Sequence, residues 1–439
     1  MILKLANSLL TKIRDKSAVV AVVGLGYVGL PLALEKAKAG FKVIGMEQNP
    51  SRVKMINAGK NYILDVNDQE LETMVRQGRL SAVNDFCRVP EADIIAICVP
   101  TPLTKNLTPD LHYIETTTRK ISELLRPGQL ITLESTTYPG TTEEIMLPIL
   151  NQSGLHVEEE FFLAHSPERV DPGNPCYATK NTTKILGAVG PESMEVALAF
   201  YSESIDKMIP LSCTQAAELA KVFENTFRAV NIALVNEIAL LCDRMGLNVW
   251  EVLEAAFTKP FGIMPFYPGP GVGGHCIPID PHYLEWKAKE MSFNTHFIAL
   301  AGEINRSMPG FVREKALRIL GRNGIASSRA RILILGVTYK KDIADKRESP
   351  ALEIIRLLTL EGSQVDFHDP FINQVKLDNI ELDSVSLDTR NIASYDLIII
   401  VTDHSSIDYP WLVQHGRRIF DTRNATRDVI PGREKITLL

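Results

Sequence analysis

Short apolar runs recur through the first part of the chain, separated by segments with helical spacing. Ala18–Val23 (AVVAVV), Lys42–Met46 (KVIGM), Asp93–Val99 (DIIAICV) and Gln129–Glu134 (QLITLE) are apolar at successive rather than alternate positions. Continuous runs of this kind predict strands buried on both faces. Between them, Tyr27–Ala39 and Tyr113–Leu125 repeat apolar residues at the helical interval. The alternation predicts an α/β fold with a doubly wound parallel sheet. From Thr214 to Met245 the chain is free of Gly and Pro and apolar around most of a helical circumference. Such a helix must be covered on more than one side, which predicts a central helix between domains and across a dimer interface. Pro260 to Leu284 then holds six Pro and five Gly, a loop whose aromatic and aliphatic residues predict order and function. Strand-like runs resume at Arg331–Gly336, Gln364–Phe367 and Asp396–Val401, which predicts a second α/β domain. The expected divisions are 1–213, 214–324 and 325–439.

Composition narrows the function. A length of 439 residues suits two to four domains at about 100–200 residues each. With 45% hydrophobic and 23% charged residues the chain is neither disordered nor fibrous. Its 47 Lys+Arg against 53 Asp+Glu, a net charge of −6, supplies no basic field for nucleic acid or an anionic membrane. Six cysteines without a C-x-x-C pair exclude a disulfide framework and a zinc site, so no metal is expected and a reducing cytoplasm is. Ser17 to Leu34 is uncharged, but three glycines and Pro31 within it predict a strand and turn rather than a membrane span.

Gly24, Gly26 and Gly29 form G-x-G-x-x-G directly after the first strand, with Tyr27 and Val28 in the turn. The first glycine permits the turn, the second lets backbone approach a pyrophosphate, and the third lets helix and strand pack closely. Glu47, 23 residues after Gly24 at the end of the next strand, is placed to accept hydrogen bonds from an adenosine ribose. It would also repel a 2′-phosphate, so NAD is expected over NADP, with Arg52 and Thr101 as further candidate contacts. The fold class is therefore two Rossmann-like doubly wound parallel-sheet domains joined by a long central helix.

Four further groups carry candidate chemistry. Cys276 lies in the Pro/Gly loop with Asp280 four residues on; its neighbour His275 should point away and serve a structural role. Lys221 and Asn225 share a helical face, with Glu218 three residues before the lysine, an arrangement that a solvated charge pair would also explain. Glu134-Ser135-Thr136-Thr137-Tyr138-Pro139-Gly140 and His165-Ser166-Pro167-Glu168-Arg169 follow strand-like runs, where open parallel sheets bind ligands.

In order, the segments VVGLGYVGLPLA, CVPTP, STTYPGTT, HSPERVDPGN, ELAKVFENTFRAVNIALVNE, PGPGVGGHCIPIDP and LGVTYKKDIADKRESPA resemble the UDP-glucose/UDP-N-acetylhexosamine 6-dehydrogenase family over nearly the whole chain. The HSPER form resembles its N-acetylhexosamine branch. The resemblance implies an NAD-dependent four-electron oxidation of a UDP-sugar C6 alcohol to a uronic acid, for surface polysaccharide precursors. UDP-N-acetylglucosamine is the first choice; UDP-N-acetylmannosamine, UDP-N-acetylgalactosamine and UDP-glucose stay open. It implies that Cys276 forms a thiohemiacetal and then a thioester, and that Lys221 stabilises the oxyanion with Asn225 beside it. Asp280, Thr136 and Glu168 share proton transfer. Arg169, Lys221, Asn225, Gly273, Tyr339 and Lys340 are implied substrate contacts, with Arg347 carried over less securely, and Thr136 lies near the nicotinamide. The first domain would bind NAD, the middle segment would carry the cysteine loop and the last would bind the UDP-sugar, in a homodimer. A single-step β-hydroxyacid dehydrogenase is the rival reading, set apart by Cys276 and the second α/β domain.

Overall fold

The computed structural model describes residues 2–63, 66–104, 106–171, 174, 176–274 and 276–439, with backbone only for Ile2 and Leu3. The chain forms two compact units, Met1–Glu224 with His282–Phe293, and Asn225–Pro281 with Asn294–Leu439. The division falls inside the helix Thr214–Met245, whose bounds are those its sequence predicts.

Among the described residues the first unit carries an eight-stranded sheet. Its strands are β1 (Val19–Val23), β2 (Lys42–Met46), β3 (Leu80–Val83), β4 (Ile94–Ile97), β5 (Leu130–Leu133), β6 (Phe162–His165), β7 (Lys184–Ala188) and β8 (Met208–Pro210). Their spatial order is 3-2-1-4-5-6-7-8. The first six are parallel in the order of a dinucleotide-binding sheet; β7 turns antiparallel to β6 and β8 pairs parallel to β7. The apolar runs are continuous because each strand is covered twice. Val20, Val22, Ile94 and Ala96 face one apolar layer, while Ala21, Val23, Ile95 and Ile97 face the other. A helix that the strand pattern did not predict, Ile2–Arg14, closes the first layer through Ala6, Leu9, Leu10 and Ile13.

The second unit carries β9 (Arg331–Leu335), β10 (Gln364–His368), the hairpin β11 (Gln374–Leu377) and β12 (Ile380–Asp383), then β13 (Leu397–Ile400), β14 (Ile419–Asp421) and β15 (Ile436–Leu438). Its parallel sheet has the order 10-9-13-14-15, which is that of a doubly wound fold without its hairpin. Ile332, Ile334, Leu397 and Ile399 face one layer; Leu333, Leu335, Ile398 and Ile400 face the other. Among the described residues no helix is long and apolar enough to cross a membrane.

Candidate active site

In the first unit every candidate residue of the sheet follows the C-terminal end of a parallel strand, where strand and loop diverge to leave a crevice. After β1, Gly24 adopts φ +87°, and a Cβ there would meet the Cys98 carbonyl oxygen at 2.6 Å. A Cβ on Gly29 would stand 1.8 Å from the Gly24 carbonyl oxygen, whereas one on Gly26 would meet nothing within 4 Å. Thus Gly24 and Gly29 are required by the fold and Gly26 faces open space, as a pyrophosphate cradle demands. Glu47 is buried after β2 and accepts from the Leu25 N–H at 3.2 Å and the Asn49 N–H at 3.0 Å. The acid therefore braces the glycine turn as well as facing the crevice. Arg52 lies 3.7 Å from Glu47 and stacks over Tyr62, whose hydroxyl donates to the Leu25 carbonyl at 2.6 Å. Tyr27 is exposed, Val28 precedes the helix Gly29–Lys38, and Thr101 is buried with its carbonyl accepting from Tyr283.

After β5 and β6 lies a buried polar cluster. Ser135 donates to the Val99 carbonyl at 2.7 Å, Thr136 is half-buried, and the Thr137 hydroxyl is buried without a hydrogen-bond partner among the described residues. Glu168 Oε1 accepts from the N–H groups of Arg169 at 2.7 Å and Val170 at 2.9 Å. Its Oε2 is buried, makes no hydrogen bond with any described residue and lies 3.8 Å from Lys184 Nζ. Arg169 is engaged by Glu224 at 2.6 Å and by the Thr183 carbonyl at 2.7 Å. Burial, with Lys184 adding to it, drives the His165 imidazole down to about 3, so His165 is a neutral ring and not a base.

Glu218 is not part of a solvated pair. It is buried, and its carboxylate accepts from the N–H of Gly140 at 2.5 Å and from the N–H and hydroxyl of Thr142 at 2.9 and 2.7 Å. Burial raises its pKa, against the pull of those three donors. Lys221, one turn on, is 8% exposed and makes no ion pair or hydrogen bond with any described residue. An ammonium sequestered without a counter-ion is costly, and an anionic ligand would relieve that cost.

In the second unit Cys276 is exposed, and its carbonyl accepts from the N–H groups of Ile279 at 3.1 Å and Asp280 at 2.8 Å. That turn runs straight into the helix Asp280–Glu290, so the loop expected to reach Leu284 ends earlier; Asp280 is a helix-opening residue. Asp280 is 3% exposed and accepts from Asn225 Nδ2 at 2.6 Å. Thiol and carboxylate thus belong to one turn, which the Asn225 carboxamide braces from the long helix. Gly273 and Gly274 lie on Tyr339: Cβ atoms there would stand 2.6 and 2.8 Å from its side chain, and the Gly274 N–H donates to the Arg347 carbonyl at 3.1 Å. These glycines let the cysteine loop lie flat on the turn that follows β9. Tyr339 and Lys340 are half-buried on that turn, and Arg347 is paired with Asp345 at 2.6 Å. Asp369, at the end of β10, holds the turn by accepting from Val337 N–H at 2.7 Å and Thr338 N–H at 3.2 Å. His404 Nδ1 accepts from the Asp342 N–H at 3.1 Å, so its Nε2 carries the proton donated to Asp369 at 3.1 Å. His275 lies outside the described residues.

Three domains of one family match this chain: its NAD binding domain at residues 18–205, its central domain at 215–307 and its UDP binding domain at 333–428. A UDP-N-acetyl-D-mannosamine dehydrogenase of Pyrococcus horikoshii is 35% identical over 415 residues, 93% of this chain and 96% of the relative. The chain belongs to the UDP-glucose/GDP-mannose dehydrogenase family. It is an NAD-dependent UDP-sugar dehydrogenase. A UDP-N-acetyl-D-glucosamine 6-dehydrogenase of Pseudomonas aeruginosa is 36% identical over 392 residues, 89% of this chain and 91% of the relative. The solved structure of the Pyrococcus horikoshii UDP-D-ManNAc dehydrogenase superposes with a TM-score of 0.87 at 33% identity, covering 96% of this chain and 98% of that one. The open Gly26 position and the braced Glu47 fit NAD, which Gly24–Gly29 and Glu47 would hold at pyrophosphate and ribose.

Sequence reasoning missed several residues that shape this dehydrogenase's site. Tyr62 and Lys184 brace candidate residues of the first unit, and Asp369 and His404 those of the second, from distant segments that no local motif marks. Glu218 carried a signal in its spacing from Lys221, but its partners, 76 and 78 residues away, are invisible to a helical-face argument.

Proposed function

We propose that this dehydrogenase oxidises the C6 alcohol of a UDP-N-acetylhexosamine, UDP-N-acetylglucosamine first, to the uronic acid, with Cys276 holding the carbon between two oxidations. The observation that carries the reading is the turn in which an exposed thiol is followed by the buried Asp280–Asn225 pair. NAD, when bound, supplies the acceptor for each of the two hydrides. The first oxidation yields an aldehyde and releases the alcohol proton to a base, for which Asp280, Thr136 and Glu168 are the candidates. The Cys276 thiolate then adds to the aldehyde carbon, and the oxygen that takes the electron pair becomes an oxyanion, which the uncommitted Lys221 ammonium and Asn225 stabilise. Loss of the second hydride from this adduct leaves a thioester. Water, positioned by the same carboxylates, hydrolyses it to the uronate and regenerates the thiol.

Residues 1–213 would serve NAD, 214–324 the cysteine turn, and 325–439 the uridine diphosphate through Tyr339 and Lys340. Exposed Phe227, Leu234, Leu241 and Met245 recur on the long helix at intervals of seven, seven and four, which supports a homodimer through that helix. A cytoplasmic location suits a thiol that must stay reduced.

UDP-N-acetylmannosamine is the second reading, favoured by the Pyrococcus horikoshii relative; the two sugars differ at C2 and present the same C6 alcohol. Incubating the protein with NAD and each of four UDP-sugars, while following NADH absorbance, tests the substrate class. One N-acetylated sugar is expected to exceed UDP-glucose by at least about ten-fold in kcat/KM. UDP-glucose outperforming all three N-acetylhexosamines would contradict the reading.

A further inference from the structure

Beneath the strand ends of the first unit lies a buried ionic group that the proposed chemistry does not use. Lys184 opens β7, is 3% exposed, and spends its three ammonium protons inside the protein. They go to Glu134 Oε2 at 2.6 Å and to the carbonyls of Ser166 at 2.9 Å and Pro167 at 3.0 Å. Glu134 is fully buried and receives a hydrogen bond from the Tyr201 hydroxyl on its other oxygen. The two carbonyls belong to the residues just before Glu168, whose Oε2 stands 3.8 Å from the same ammonium.

Two features separate this from an ordinary buried pair. A Lys–Glu pair whose only task was to fill space could be replaced by apolar residues without loss. Here the lysine also grips the backbone of the turn that presents Glu168. Glu168, moreover, has one oxygen committed to its own backbone and the other buried with no hydrogen bond to any described residue, so the Lys184 charge is the nearest compensation that oxygen has. Burial alone would push the lysine toward neutrality, but Glu134, with Glu168 behind it, more than offsets this and raises its pKa above the ordinary value. The ammonium therefore stays charged.

We infer that Lys184 is a positioning residue for the oxidation: through the Ser166 and Pro167 carbonyls it fixes the turn that presents the Glu168 carboxylate. The inference rests on the proposed role of Glu168 in proton transfer. The groups facing that carboxylate are Lys184 from β7, Glu134 beyond β5 and Cys98 beyond β4, with Tyr201 behind Glu134; Arg169 beside it is taken up by Glu224. Lys184 is the cation among them that is not already paired outside the cluster. Removing it should free the turn and misplace the carboxylate, which lowers kcat while leaving both KM values nearly unchanged.

The test compares Glu168→Gln with Lys184→Met/Glu134→Gln, in which the buried pair is replaced by neutral side chains of similar shape so that no lone charge is left inside. Both are measured in the full-length protein with NAD and the best UDP-sugar for melting temperature, kcat and both KM values. Glu168→Gln should lose at least about a hundred-fold in kcat. The neutral-pair variant should keep both KM values within about three-fold and lose about ten-fold in kcat. In the Glu168→Gln background the pair replacement should cost nothing further in kcat. A folded neutral-pair variant with wild-type kcat, beside an inactive Glu168→Gln, overturns the inference and leaves the Glu168 reading intact. A fully active Glu168→Gln overturns both. Should the neutral-pair variant not fold, Lys184→Arg decides: a planar guanidinium cannot hold the same three acceptors, so a folded variant with lowered kcat and both KM values kept supports the inference, and one with wild-type kcat overturns it.

Discussion

Replacing Cys276 by alanine is expected to remove at least about a thousand-fold of uronate-forming turnover while leaving both KM values and the melting temperature nearly unchanged. The stability expectation follows from exposure: the side chain is not core, and the Cys276 carbonyl accepts from Ile279 and Asp280 in the turn around it. The catalytic expectation is chemical. An aldehyde carbon gives up a hydride only after a nucleophile has added to it, and alanine offers none. Cys276→Ser separates the steps further, since its hydroxyl can add but leaves an ester, which water attacks more slowly than a thioester. Intact-protein mass spectrometry with NAD and UDP-sugar should then show the added mass of the uronyl group. Uronate formed by Cys276→Ala at near the wild-type rate would show that the thiol is structural.

The glycine turn gives the second large effect, as a contrast between neighbours. Gly29→Ala places a methyl group 1.8 Å from the Gly24 carbonyl oxygen, so the helix Gly29–Lys38 must move away from the turn. Forcing a group into such packing costs roughly 1–3 kcal/mol or more, which lowers the melting temperature by several degrees, and the shifted turn should lose NAD. Gly26→Ala meets nothing within 4 Å in the protein. It should melt with the wild type, yet raise KM for NAD by about ten-fold or more, because its methyl fills the space backbone leaves for the pyrophosphate. Thermal melts with and without NAD, together with NAD titrations, check both variants. Normal NAD binding by the Gly26→Ala variant would place the cofactor elsewhere.

These effects are legible in the sequence because they belong to local motifs. The parallel strands β1, β2, β4 and β5 read from continuous apolar runs, since burial on both faces removes polar alternation. Thr214–Met245 reads to the residue because nothing in it breaks a helix. The strands that escape have physical reasons for it. β3 (LSAV) is short and only half-buried, β8, β14 and β15 are three residues each, and β7 begins with Lys184, a charge that argues against a buried strand unless its partner is known. That partner, Glu134, is 50 residues away. The helix Ile2–Arg14 has a readable apolar spacing, which the stronger strand signal just after it overshadows. In the site, residue types at motif spacing point to Cys276, Asp280 and Asn225, but not to their bracing. The Asn225–Asp280 bond spans 55 residues, and the packing of Gly273 and Gly274 on Tyr339 joins segments that no spacing rule connects.

The central claim, a four-electron oxidation through a cysteine adduct, is tested most directly by stoichiometry. A limiting amount of UDP-N-acetylglucosamine, or whichever UDP-sugar the screen favours, is consumed to completion with excess NAD, and NADH is counted against sugar lost. The account predicts two NADH per UDP-sugar, a uronate as the product and no free aldehyde captured by an added hydrazine. One NADH per sugar, with an aldehyde or ketone as the product, would contradict it.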